Sequence, residues 1–242
     1  MTSYPKPLSS QDAVFLDFDG TLAPIQEEAD KVALPEGGAE IILNLSRILG
    51  GAVALISGRG LQDLSGRVPK EVWRFGNHGL YSAHPGKQAK APTTFLPNDF
   101  MKGLTALTET LRGVEIETKG PVVALHYRKA PNAETALREK LPLLAANFPD
   151  YNLQEGKCIF EIKPKGANKG ECLRKAMNTS PFHGRRPVMI GDDTTDEDAF
   201  KVVNELGGMS IKVGEEDTSA KYRLPNVAAV HIYLKEFHDA EK

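Results

Sequence analysis

Cysteine is nearly absent. The 242 residues hold two, Cys158 and Cys172, with no CxxC spacing. That excludes a disulfide framework, and two unpaired thiols fit a reducing compartment. An excess of one charge is missing too: 30 basic side chains stand against 32 acidic ones, for a net charge of −2. Such a balance gives no nucleic-acid footprint and no membrane-binding face, so an anionic ligand must be held by local positive charge. No apolar run approaches the ~20 residues of a membrane span. Met1 to Gln11 is polar and contains proline, with no basic segment leading into an apolar stretch, so it does not read as a signal peptide. The expectation is a cytoplasmic monomer with neither nucleic acid nor membrane as partner.

What is present is enough chain for one large domain or two small ones. The first third alternates apolar strands with helices. Ala13–Phe18 and Ala52–Ile56 read as buried strands, Val72–Phe75 as a third, and Pro35–Leu49 as a helix with apolar residues at helical spacing. Helical crossovers between short strands imply a parallel sheet. The segment His84–Pro97 is rich in Pro, Lys and Ala and reads as a linker. A different grammar follows it: helix (Asp99–Leu111), two strands (Val114–Thr118, Val122–Arg128), helix (Asn132–Phe148), two strands (Tyr151–Gln154, Cys158–Ile162). After Pro164 the first grammar resumes, with helix Lys169–Met177, strands at Val188–Ile190 and Met209–Val213, and a tail helix near Tyr233–His238. The expected architecture is α/β: a Rossmann-like parallel-sheet core over residues 1–96 and 164–242, with an α+β module inserted at 97–163.

Chemistry-bearing residues collect where strands end or helices begin. Asp17 and Asp19 close the first strand, and strand alternation is expected to put them on one face. Gly20 permits a sharp turn after them. Two carboxylates leaving water together repel each other, and a hard divalent cation such as Mg²⁺ relieves both costs, with one carboxylate able to act as a nucleophile. Ser57-Gly58-Arg59 follows the second strand and offers a hydroxyl and N–H groups to an anion. Lys169 opens a helix, where its charge does not help the helix dipole, so it is expected to serve a phosphate or the aspartate pair. Asp192, Asp193 and Asp196 follow the strand Val188–Ile190, with Asp192 as a metal ligand and Asp196 in support. In open parallel sheets such positions line one crevice.

DxDGT, SGR, a helix-opening Lys and GDDxxD in this order resemble the haloacid-dehalogenase superfamily, which transfers phosphoryl groups through an aspartyl-phosphate. The resemblance implies that Asp17 attacks phosphorus. Asp19 lends its backbone carbonyl to Mg²⁺ and its side chain as acid and then base. Thr21, Ser57 and Gly58 bind phosphoryl oxygens and Lys169 neutralises them. Asp17, Asp19 and Asp192 hold the metal, with Asp193 and Asp196 behind them. The insert falls in the slot of a large C2-type cap that closes over the site in that superfamily.

The insert's strands carry ordered charge: Glu117, Lys119, His126, Arg128, Lys157, Glu161 and Lys163. Their segments (ETKG, ALHYR, GKCIFEIKP), together with GNHG at Gly76–Gly79 and GDDTTDE at Gly191–Glu197, are similar to the trehalose-6-phosphate phosphatases. That likeness implies that Arg59, Asn77, Glu117, Lys119, Arg128, Lys157 and Glu161 bind the substrate. It also implies that trehalose 6-phosphate is hydrolysed in the last step of trehalose biosynthesis, by a stand-alone phosphatase. Mixed charge suits a ligand of many hydroxyls, since carboxylates accept from them and Lys or Arg donate to them. Sucrose phosphate, mannosyl-3-phosphoglycerate or a phosphohexose would be served by the same core under a different cap. A phosphomutase shares the core chemistry. A sensor that binds without turnover would have no use for the Asp17 nucleophile.

Overall fold

The computed structural model describes residues 3–156 and 158–240. The chain divides into two compact units, Met1–Lys90 with Asn168–Lys242, and Ala91–Ala167. In chain order the elements are β1 (Asp12–Leu16), α1 (Gly38–Ile48), β2 (Val53–Ile56), α2 (Leu61–Arg67), β3 (Trp73–Gly76) and β4 (Tyr81–Ala83). In the second unit come α3 (Asn98–Glu109), β5 (Glu115–Lys119), β6 (Val122–His126), α4 (Glu134–Ala145), β7 (Tyr151–Gly156) and β8 (Ile159–Pro164). The first unit then resumes with α5 (Lys169–Ala176), β9 (Arg186–Gly191), α6 (Asp196–Glu205), β10 (Met209–Val213), β11 (Tyr222–Leu224) and α7 (Val227–Ala240).

Among the described residues the first unit's sheet has the order β11-β10-β9-β1-β2-β3-β4. Its ladders are parallel except for β3–β4. After its first residue, Asp12, β1 is apolar throughout, and so is β2: Ala13–Leu16 and Val53–Ile56 are entirely out of water. A strand without polar alternation must be covered on both faces, which is the situation of a parallel sheet between helices. β1 lies between β2 and β9, so the segments beginning at Asp17, Ser57 and Asp192 all leave the same end of neighbouring strands.

The α/β reading holds, with local differences. β4 and β11 were not expected: each has three residues and lies at a sheet edge, where burial and alternation give little signal. The tail helix begins at Val227 rather than near Tyr233. β1 stops at Leu16, before the aspartates.

The second unit is an antiparallel sheet, β5-β6-β8-β7. One face carries Val123, Leu125, Phe160 and Ile162, packed with Phe100 and Leu104 of α3 and Leu137 and Leu141 of α4. Here alternation works as a half-buried sheet requires: apolar residues go to the helices and polar ones to the other face. Leu96 belongs to this second core. Pro92 and Thr94 crowd the turn at Gly120, so residues 91–96 cluster with this unit.

Candidate active site

A buried cluster of charge sits at the strand ends of the first unit. Asp17 is 4% exposed, and its N–H donates to the Ile190 carbonyl of β9 (3.0 Å). Lys169 is 2% exposed and places Nζ 2.9 Å from Asp17 Oδ1 and 2.7 Å from Asp196 Oδ1. Its position follows from local structure: Asn168 caps α5 by accepting from Glu171 N (3.0 Å), which fixes the first turn. Asp192 follows β9 and Asp196 opens α6. Asp17, Asp192 and Asp196 each bring a carboxylate oxygen within 4.8 Å of the others.

Three carboxylates around one lysine leave negative charge in a place water barely reaches. Burial pushes the Asp17 carboxyl well above its usual range; Lys169 opposes this, and Asp196 and Asp192 add to it. Burial, and after it Asp196, push Asp192 up to about 7 against the pull of Lys169. Burial would depress the Lys169 ammonium, but Asp17 and Asp196 outweigh it and hold the group charged. Asp196 is fully engaged, with Oδ1 on Lys169 and Oδ2 accepting from Asp193 N (3.0 Å). Asp17 and Asp192 therefore have the greater capacity to take a cation, and a divalent ion of oxygen-loving type fits the deficit. Gly20 (φ +73°) leaves the room this needs, since a Cβ there would overlap the Asp192 carboxylate. Thr21 Oγ1 donates to Asp192 Oδ1 (3.1 Å), and Lys212 of β10 holds the Asp192 carbonyl. Asp193 supports the cluster through its backbone N–H, while its carboxylate accepts from Thr194 and Thr195.

Asp19 stands apart from the three-carboxylate group. β1 ends at Leu16, so Asp17 and Asp19 lie in the loop that follows it. The Asp19 carboxylate is held instead by Arg59 in a two-pronged pair, Nε–Oδ2 2.7 Å and Nη2–Oδ1 2.7 Å. Arg59 also donates to Asp63 Oδ2 (2.7 Å) and to the Ala29 carbonyl (2.9 Å), and Asp63 accepts from Arg67 (2.8 Å). Burial works against the Arg59 guanidinium, yet Asp19 and Asp63 outweigh it and hold it protonated. Burial raises the Asp63 carboxyl less than Arg67 and Arg59 lower it, and it stays below the usual range. Arg59, expected among the substrate-binding residues, is engaged within its own unit by Asp19, Asp63 and the Ala29 carbonyl.

Ser57 is 1% exposed and follows β2. It does not cap α2, which starts at Leu61; its Oγ accepts from Arg59 N (3.1 Å). The loop is clamped from below by Asn77 and His78. His78 N donates to the Ser57 carbonyl (2.9 Å) and Asn77 N to the Arg59 carbonyl (2.8 Å). Both residues have left-handed backbones, φ 53° and 56°, a strained pairing that side chains rarely adopt in succession. Gly58 lies against the His78 ring, where a Cβ would come within 2.7 Å of Cε1. Asn77, expected near the phosphorylated glucose, is fully buried, and its Oδ1 accepts from Leu61 N (3.3 Å) at the head of α2. His78 and Asp63 were not expected in the site. Only the GNHG spacing pointed toward His78, and nothing pointed toward Asp63.

In the second unit the register sets a polar row across the sheet: Glu117 opposite Ala124, Ala124 opposite Glu161, Glu161 opposite Gln154. Small Ala124 separates the two carboxylates. Lys119 Nζ is 3.3 Å from Glu117 Oε2 and 3.9 Å from Glu161 Oε1, and His126 Nε2 is 2.9 Å from Glu117 Oε2. Burial tends to raise the Glu117 carboxyl, but His126 and Lys119 together hold it below the usual range. Arg128 is not on this row. β6 ends at His126, and Arg128 is exposed in the following turn. Lys157 lies outside the described residues.

Three comparisons bear on this arrangement. The family model described as Trehalose-phosphatase matches residues 15–228. The chain is 39% identical over 240 residues to the trehalose-6-phosphate phosphatase of Escherichia coli (strain K12), covering 97% of this chain and 89% of that protein. It is 42% identical over 206 residues to a probable trehalose-phosphate phosphatase of Sinorhizobium fredii, covering 84% and 77%. Among solved structures, the C-terminal domain of the C. albicans trehalose-6-phosphate phosphatase superposes with a TM-score of 0.80 at 23% identity, over 96% of this chain and 93% of that one, a likeness of fold.

Proposed function

The chain belongs to the trehalose-phosphatase family, and from that premise we propose that it hydrolyses trehalose 6-phosphate to trehalose and phosphate through an aspartyl-phosphate. The observation that carries the core chemistry is the buried Asp17–Lys169–Asp196 bridge beside Asp192. Lys169 orients Asp17 by its Nζ and opposes the rise that burial imposes on its carboxyl, and the same ammonium would neutralise an incoming phosphoryl group. Asp17 forms a bond to phosphorus as the sugar oxygen leaves, and Asp19 gives that oxygen its proton. Asp19 then takes a proton from the water that cleaves the aspartyl-phosphate, so the acid is restored in one cycle. Both Asp19 oxygens rest on Arg59. Asp19 therefore reaches a leaving group only by releasing one prong of the guanidinium, and we assign Arg59 to positioning Asp19. Ser57 and Gly58 offer their hydroxyl and N–H to the phosphoryl oxygens, and Thr21 supports Asp192 from the same loop as the nucleophile.

Mg²⁺ held by Asp17, Asp192 and the Asp19 carbonyl would supply charge neutralisation between nucleophile and phosphate. The polar sheet row of Glu117, Lys119 and Glu161 is assigned to the sugar hydroxyls, as are Arg128 and Lys157 by family likeness. Among the described residues no helix is long and apolar enough to cross a membrane, and Cys158 and Cys172 are both unpaired. Free thiols support a cytoplasmic setting. The test is phosphate release with Mg²⁺ from trehalose 6-phosphate, sucrose 6-phosphate, glucose 6-phosphate and mannosyl-3-phosphoglycerate. A strong preference for the first is expected. Preference for another phosphosugar would overturn the substrate and the sugar contacts while keeping the core chemistry.

A further inference from the structure

Lys212 is a buried cation that the proposed chemistry leaves unused. It stands on β10, a strand buried at every position, and is 1% exposed. Removing an ammonium from water is costly, and a neutral donor would satisfy a carbonyl with less desolvation. The register shows where the charge is directed. Lys212 lies beside Gly191 of β9, one residue before Asp192, and its Nζ donates to the Asp192 carbonyl. At the other end of the same residue, Asp192 Oδ1 accepts from Thr21 Oγ1 (3.1 Å). Asp192 is thus held twice, its main chain by a charge and its side chain by a hydroxyl. A charge-assisted hydrogen bond is roughly twice as strong as a neutral one, so the main-chain hold is the firmer of the two.

The ammonium is itself held in place. Glu216 Oε2 lies 3.2 Å from Nζ, on an exposed side chain. The loop that carries Glu216 is fastened at two points. Arg223 donates to the Gly214 carbonyl and to the Glu216 carbonyl (3.0 Å for the second). Glu197 of α6 accepts from Thr218 Oγ1 (2.6 Å), Ser219 N (2.8 Å) and Ser219 Oγ (2.6 Å). Glu197 ends the GDDTTDE segment and has no part in the acidic cluster. Its carboxylate also lies within the field of the Lys212 charge. The motif therefore anchors the loop that aims Glu216 at Lys212. With Glu216 against it, Lys212 adds little net charge beside Asp192, and what it contributes is geometry.

We propose, resting on the reading of Asp192 as a metal ligand, that Lys212 is a positioning residue: secured by Glu216 and the Glu197 anchor, it sets the Asp192 main chain so that the carboxylate is ready for a divalent cation. The experiment is a Mn²⁺ titration of the full chain without substrate, with the free ion counted by electron paramagnetic resonance. It compares the parent with Lys212→Met and Glu216→Gln. Lys212→Met replaces the ammonium by an apolar group of similar length in a buried position. It should weaken the tightest Mn²⁺ binding by about tenfold or more, the usual effect of losing a group that orients a metal ligand from behind. Glu216→Gln changes an exposed side chain and should weaken the same binding by about two- to fivefold, the range of an exposed ion pair. A lysine that only satisfied a carbonyl would leave the Mn²⁺ affinity of the folded variant where it was. Lys212→Met decides when its circular dichroism matches the parent's, and Glu216→Gln decides otherwise. Parent-like Mn²⁺ affinity in the deciding variant overturns the assignment of Lys212 alone. A parent that takes up no Mn²⁺ overturns the metal reading, and this assignment with it.

Discussion

The two units handle charge in opposite ways. In the first, Asp17, Lys169 and Asp196 are almost wholly removed from water and hold one another. In the second, Glu117, Lys119, His126 and Glu161 share the polar face of a sheet whose other face is packed with helices, and Glu117 and His126 remain in contact with water. Buried charge is expensive and tolerates no vacancy, so it suits a site whose reacting groups must not move. The half-exposed charge of Glu117 and His126 is inexpensive and adaptable, which suits recognition of hydroxyls, while Lys119 and Glu161 beside it are more covered. The comparison teaches that substitutions in the first unit should damage chemistry and stability, and those in the second should alter substrate preference alone.

The strongest test of that division is Asp17→Asn. Turnover should fall by on the order of 10⁴-fold or more, because the nucleophile is lost, while trehalose 6-phosphate binding stays measurable by calorimetry. Near-normal turnover would remove Asp17 from the role. Next comes Lys169→Met. It strands two carboxylates in a buried site, so denaturant unfolding should show a loss of about 3–5 kcal/mol together with loss of activity. Unchanged stability would mean that the cluster is wetter than its burial indicates. Glu161→Ala should be milder and selective. We expect kcat/KM for trehalose 6-phosphate to fall by about 10²-fold, with p-nitrophenyl phosphate hydrolysed almost as before, since a missing charged hydrogen-bond partner is worth roughly that much. Equal losses on both substrates would break the division between the units.

The same contrast explains what could be read from the chain. Asp17, Asp192 and Ser57 were legible because apolar runs mark buried strands and the polar residues after them are few, and Lys169 because it opens a helix. The α+β character of the insert was legible from alternation, as was the polar parity of Glu117 and Lys119. The pairing of Asp19 with Arg59 was not, because it joins residues 40 apart and depends on β1 stopping at Leu16. Nor were the partners of buried Arg74, which are backbone carbonyls and carry no sequence signature. The left-handed backbones at Asn77 and His78 were also hidden, since neither residue is glycine. Local pattern reveals where a charge emerges, and tertiary packing decides which charge it meets.

The smallest expected effect is the most discriminating, because it separates stability from function within one residue. Asp192 has its carboxyl pushed up to about 7 by burial and by Asp196, against 3.8 for the free group. Between those values the folded chain holds a proton that the unfolded chain releases. Without metal, Asp192 therefore lowers stability as pH rises through that window, and the penalty is complete above about pH 7. Asp192→Asn keeps an acceptor for Thr21 and removes the charge. In chelator at pH 8 the variant should melt about 3–6 °C higher than the parent, as one or two kcal/mol implies for a chain of this size. At pH 4 the two should converge. Adding Mg²⁺ should reverse the order, because only the parent gains binding energy from the ion. A variant that melts no higher in chelator would show that the carboxylate cluster is not strained by its own charge, and the case for a cation there would lose its physical basis.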